Sequence, residues 1–188
     1  GGLLGTACGG GGGGGGADAR PRIDAAGCLA ASDYGSPIWT ATETQGADSD
    51  PLAPPNPEFL VALGQINPDD RVVVELFAGD GVFASEITTG TFDLTGEELN
   101  YATCGVCVSL FAGQANDNVY LATAGSVTVA AVGPVGGNLD VTMNNIAFQH
   151  VIIDPQSTPL PFQSTPHPDG CTSALTTGHI TGTIAQGQ

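Results

Sequence analysis

From Arg71 to Ile184 the chain repeats one local pattern, in which short runs rich in Val, Ile, Thr, Phe and Tyr are each cut off by Gly, Asn, Asp or Pro. Branched and aromatic side chains suit a pleated, half-buried surface, and the intervening residues are those that reverse a chain. Runs at 71–78, 82–88, 91–94, 101–111, 119–124, 126–132, 138–143, 146–153 and 172–184 read as strands. Turns are expected at Gly79-Asp80-Gly81, Asn116-Asp117-Asn118, 133–137 and Asn144-Asn145. Apolar spacing of the helical kind is missing, apart from what would be one turn at 57–63. Closely spaced strands without intervening helices predict an all-β chain, an antiparallel β-sandwich or jelly roll.

A chain of 188 residues is long enough for one domain with a sizeable core. Its formal charge of −16 comes from 19 acidic residues set against Arg20, Arg22 and Arg71, with no lysine. Binding to a phosphate backbone, or directly to anionic lipid headgroups, needs a cationic surface, so nucleic acid is excluded as a partner. The absence of a 20-residue apolar run argues against a transmembrane helix.

The first residues read Gly1-Gly2-Leu3-Leu4-Gly5-Thr6-Ala7-Cys8, followed by glycine from Gly9 to Gly16. Leu4, Thr6, Ala7 and Cys8 resemble the end of a bacterial lipoprotein signal peptide, in which small residues precede a cysteine that becomes diacylated. Gly5 stands where that family usually has Leu. The resemblance implies lipidation at Cys8, attachment to a membrane through the lipid, and a location in the cell envelope or at the cell surface. Eight glycines form a flexible coil spanning roughly 15 Å, a tether rather than a folded element. Residues 1–27 are therefore read as signal-peptide remnant, lipobox and linker, and 28–188 as the folded domain. Within the latter, Gly46 to Pro57 carries Pro51, Pro54, Pro55 and Pro57 and reads as a loop or strap.

Besides Cys8 there are Cys28, Cys104, Cys107 and Cys171, an even number suited to two disulfides in an oxidising compartment. If 101–111 is one regular strand, Cys104 and Cys107 face opposite ways and each needs a distant partner. A bulge or turn at Gly105 instead permits a local Cys104–Cys107 loop and a Cys28–Cys171 bridge. A four-thiolate zinc site or a redox pair are the chemical alternatives, but a second Cys-x-x-Cys is lacking.

Other chemistry is sparse. His150, His167 and His179 are too scattered to form a ligand set by spacing, and each reads as a surface or strand residue. His167, in Thr165-Pro166-His167-Pro168-Asp169-Gly170, is the first choice if one histidine is functional. Calcium needs clustered oxygen ligands; Asp80 and Asp117 are the candidates, beside Asp48, Asp50, Asp69 and Asp70, although Asp in turns is chosen for backbone reasons. Glu97-Glu98 are adjacent acids in a loop. Tyr34 and Trp39 offer aromatic faces for a glycan, or else pack beneath the sheet. The motifs of hydrolases, dinucleotide-binding folds and phosphate-binding loops are missing, so no catalytic residue is assigned and the chain reads as non-enzymatic. The expected role is structural or adhesive, on an exported, lipid-anchored protein. A glycan- or calcium-binding module and a self-associating filament subunit built by strand addition are the alternatives.

Overall fold

A computed structural model describes residues 27–39, 41–47, 56–113 and 118–187. Over these residues the fold is all-β and mostly antiparallel, as the alternation predicts. The strands are β1 (Ala41–Ala47), β2 (Phe59–Gln65), β3 (Arg71–Phe77), β4 (Gly90–Asp93), β5 (Val106–Ala112), β6 (Asn118–Ala131), β7 (Asn138–Asp154), β8 (Gln163–Pro166), β9 (Thr172–Thr183) and β10 (Ala185–Gln186). One 3₁₀ turn, Gly96–Leu99, lies between β4 and β5. Among the described residues no helix is long and apolar enough to cross a membrane.

Hydrogen bonding runs in the order β10-β1-β2-β3-β5-β6-β7-β8, with β4 added to β6 and β9 to β7. Every pairing is antiparallel except β1 with β10. Because β10 follows β9 after the single residue Ile184, that parallel pair brings the two ends of the ribbon together. The sheet thus folds over on itself as a sandwich, with β9 packed across against β1 and β2. Thr44 Oγ1 donates to the Thr183 carbonyl at 2.5 Å along this seam. The core lies between the layers, with Leu60, Val72, Val74, Leu76, Val108, Leu110, Val127 and Val141 all essentially inaccessible to solvent.

The two longest strands each contain a change of phase. In β7 the buried positions are Leu139, Val141 and Met143, then Ile146, Phe148 and His150. An odd-numbered series becomes an even-numbered one across Asn144-Asn145, where Asn145 takes φ 48°. The partner strand β6 slips in the same place, from Tyr120 and Ala122 to Val127 and Val129, through register shifts on either side of Ala124. Gly125 permits the approach: a Cβ there would lie 2.7 Å from the Asn145 carbonyl oxygen. An extra residue in a strand turns its subsequent side chains to the other face, so a bulge at this point keeps both halves apolar-side-in.

Several sequence expectations need correction. Residues 119–132 and 138–153, read as pairs of short strands, are the single bulged strands β6 and β7, so Asn144-Asn145 is a bulge rather than a turn. The expected strand at 82–88 is a series of turns that buries Phe83 and Ile87, closed by Gly79 N–H to Phe83 O at 2.7 Å and Phe83 N–H to Asp80 O at 2.8 Å. Of the supposed helical turn at 57–63, residues 59–63 belong to β2, whose alternating burial is that of a strand flanked by β1 and β3. The 101–111 strand begins only at Val106, because 101–104 form a turn with Cys104 N–H donating to Asn100 O at 3.0 Å. Part of the loop expected at 46–57 is the end of β1.

Candidate functional site

The turn at 101–104 decides the cysteine pairing. It frees Cys104 from the strand's alternation, and Cys104 bonds locally to Cys107 with their Cα atoms 5.3 Å apart. Cys28 and Cys171 form the second bridge, with Cα atoms 5.6 Å apart across 143 residues of sequence. Glu98 holds the local loop in place. Its buried carboxylate accepts Val82 N–H at 2.8 Å through Oε1 and Val106 N–H at 2.5 Å through Oε2. Gly81 and Gly105 let the two turns meet there, since a Cβ on Gly105 would overlap the Asp80 carbonyl oxygen.

The long bridge anchors a cluster of side chains at the far end of β7. Tyr120 and His150 are direct cross-strand partners, and their rings stack with centroids 4.9 Å apart. The segment from Pro166 to Cys171 is then laced over His150: His150 N–H donates to Cys171 O at 2.8 Å, and His167 N–H to His150 O at 2.9 Å. Prolines at 166 and 168 limit the backbone around His167. Gly170, at φ 68°, closes the turn by donating to His167 O at 3.2 Å. These constraints stack the His167 ring on that of His150, with centroids 4.1 Å apart.

Asp169 completes the cluster. Its Oδ2 lies 2.6 Å from His150 Nδ1 and 3.0 Å from His167 Nδ1, while Oδ1 accepts Cys171 N–H at 3.0 Å. Desolvation pushes the Asp169 carboxyl up, but the Cys171 N–H and the two imidazoles outweigh it and hold the group at about 2. The His150 side chain is 8% exposed, whereas those of His167 and Asp169 are 34% and 32% exposed, so the cluster has a fixed inner member and an accessible rim. An ionised carboxylate facing two imidazole nitrogens can share protons or hold a cation. Among the described residues it is the one group of three metal-ligating side chains whose donor atoms lie within 4.8 Å of one another.

A second feature is a cleft of about 340 Å³ lined by Phe77, Tyr101, Ala102, Leu160, Pro161 and Phe162. Phe162 is half exposed and takes φ 62°, a left-handed conformation that a bulky side chain rarely adopts. Its N–H donates to Asp154 O at 2.8 Å. At the cleft wall the Tyr101 hydroxyl donates to Glu75 Oε1 at 3.1 Å. Burial raises the Glu75 carboxyl above its usual range, and burial together with the Glu75 charge raises the Tyr101 hydroxyl.

Of the residues singled out in the sequence, His150 and His167, too far apart along the chain to suggest a ligand set, are brought together by strand register and the 166–171 turn, whereas the others are dispersed. Tyr34 donates its hydroxyl to Asp70 Oδ2 at 2.9 Å, and burial followed by that carboxylate's charge raises its pKa. Trp39 lies over Gly64 and Gly178, joining β2 to β9, and its Nε1–H donates to His179 O at 2.6 Å. Asp80 is exposed in the turn it was assigned to. Asp117, Asp48, Asp50, Cys8 and the polyglycine tract lie outside the described residues. His179 pairs with Asp140 at 2.9 Å, away from the other histidines. No protein-family model matches the chain, and no curated protein or solved structure matches it either.

Proposed function

We propose that this is an exported, non-enzymatic protein, anchored by lipid at Cys8 and displaying a disulfide-stapled β-sandwich at the bacterial cell envelope in a structural or adhesive role. The observation that carries the reading is that all four described cysteines are paired. Disulfides of this kind persist outside the reducing cytosol. The lack of lysine and the net negative charge fit a display module that avoids nucleic acid. Protease treatment of intact native cells tests the location: the reading predicts loss of the domain without lysis, and survival of the protein with release in the soluble cytosolic fraction contradicts it.

A second reading, a glycan-binding module, is favoured by the cleft rather than by Tyr34 and Trp39. Phe77, Tyr101 and Phe162 supply apolar rings, and Glu75 with the Tyr101 hydroxyl supplies polar groups beside them. Titration with cell-wall and capsular oligosaccharides is expected to raise the melting temperature of the wild type and not of Phe162→Ala; no shift in either contradicts this second reading.

A further inference from the structure

We propose that His150, His167 and Asp169 form a binding site for one divalent transition-metal ion of the zinc class. The donor set is two imidazole nitrogens and one carboxylate oxygen. Such a mixture suits zinc and its neighbours, whereas calcium and magnesium take all-oxygen sets. Both Nδ1 atoms lie against the same carboxylate oxygen, at 2.6 and 3.0 Å, and all three donor atoms lie within 4.8 Å of one another; His167 Nδ1 also accepts the Asp169 N–H at a long 3.3 Å, a contact that a metal would replace.

The spacing needs only a small adjustment. Donors each about 2.0–2.2 Å from a tetrahedral metal stand about 3.4 Å apart, so the two contacts open by roughly half an ångström on average. His167 and Asp169 can supply that movement, being rim residues on one turn, while His150 is held by its place in β7 and its stack on Tyr120. Three protein ligands at an accessible rim leave a fourth position for water or for a ligand from a partner.

The surroundings resemble what metal ligands require. The carboxylate is oriented by Cys171 N–H on its other oxygen, and Cys171 is tied to Cys28. Outer contacts of this type typically contribute 10- to 100-fold in metal affinity, because they fix ligand orientation before the metal arrives. The chain's charge of −16 further concentrates cations near its surface. Where a fold needs only to satisfy a carboxylate, one imidazole suffices; stacking a second on the first at 4.1 Å leaves two nitrogen donors side by side.

The test is zinc titration of the full chain by isothermal calorimetry, free of any polyhistidine tag. A Cys8→Ser version is run in parallel so that no free thiol at that position competes for metal. The proposal predicts one zinc per chain, at least a 10-fold loss of affinity in His167→Gln and in Asp169→Asn, and unchanged affinity in His179→Gln. Both site variants alter rim positions, and circular dichroism with thermal melting checks that they remain folded. Cobalt bound in place of zinc is expected to give the visible absorption of a low-coordinate site, lost in His167→Gln. No saturable zinc binding, equal affinity in His167→Gln and wild type, or displacement of zinc by equimolar calcium would each overturn it.

Discussion

Replacing Glu98 by Gln changes one atom's chemistry at a buried crossing point. The carboxylate is 2% exposed and serves two backbone donors, Val82 N–H at 2.8 Å and Val106 N–H at 2.5 Å. Gln keeps one acceptor and turns an amide NH₂ toward the other N–H, which is left facing a donor. A hydrogen bond to a charged group contributes about 1.5–3 kcal/mol, and a buried unsatisfied N–H costs about 1–3 kcal/mol. Relief of the carboxylate's own desolvation offsets part of that sum, giving an expected loss of about 2–3 kcal/mol for Glu98→Gln. For a domain of this size that is a fall in melting temperature of about 5–10 °C. Scanning calorimetry measures it, and hydrogen exchange localises it: the Val82 and Val106 amides should lose protection while those of β7 keep theirs. A Glu98→Gln variant melting within about 1 °C of wild type would show that the two Glu98 contacts do not hold the crossing together.

Removing the Cys28–Cys171 bridge, whose ends lie 143 residues apart, should cost about 5 kcal/mol in the chain-entropy model. Removing Cys104–Cys107, with a separation of 3, should cost no more than about 2 kcal/mol, so urea denaturation of the two double-serine variants should rank them in that order. Glu75→Gln should raise the melting temperature at pH 7 to 8. Its carboxyl is lifted by burial above the usual 4.5, so its contribution to stability is present below that value and lost as pH rises through the folded value. The advantage of the Gln variant should accordingly vanish near pH 3 to 4, and an advantage independent of pH in 0.5 M salt would contradict the assignment. Gly178→Ala places a Cβ 2.7 Å from the Trp39 ring and 2.8 Å from Met143, an overpacking expected to cost about 1–3 kcal/mol. Trp39 is the only tryptophan, so the displacement should also appear as a shift in its emission.

What the sequence made legible was what repeats locally. Alternating apolar residues announced the strands, and Leu139-Val141-Met143 followed by Ile146-Phe148 contains the phase slip that marks the bulge in β7. Asn144-Asn145 obscured it, because the same residues suit a turn and only the close approach of Gly125 on the neighbouring strand distinguishes the two. Cys104 and Cys107 left the pairing open for a similar reason: the outcome rests on where β5 begins, which is set by Glu98 capturing Val106 N–H from outside the strand. Glu98 itself carried no local signal of burial. The histidine cluster was half legible, in that Pro166-His167-Pro168-Asp169-Gly170 reads as a rigid turn. Its other half, His150, arrives by strand register, and no spacing along the chain predicts which residue β6 and the disulfide will set beneath that turn.

Mass spectrometry reads the proposed lipid anchor and the two bridges in one experiment. Protein isolated from its native cells, with free thiols blocked and no reductant, would be analysed intact and as peptides. The expected products are a diacylated N-terminal Cys8, a Cys28–Cys171 peptide pair and an internal Cys104–Cys107 loop. An unmodified Cys8 together with four blocked thiols would contradict the anchor and the bridges alike.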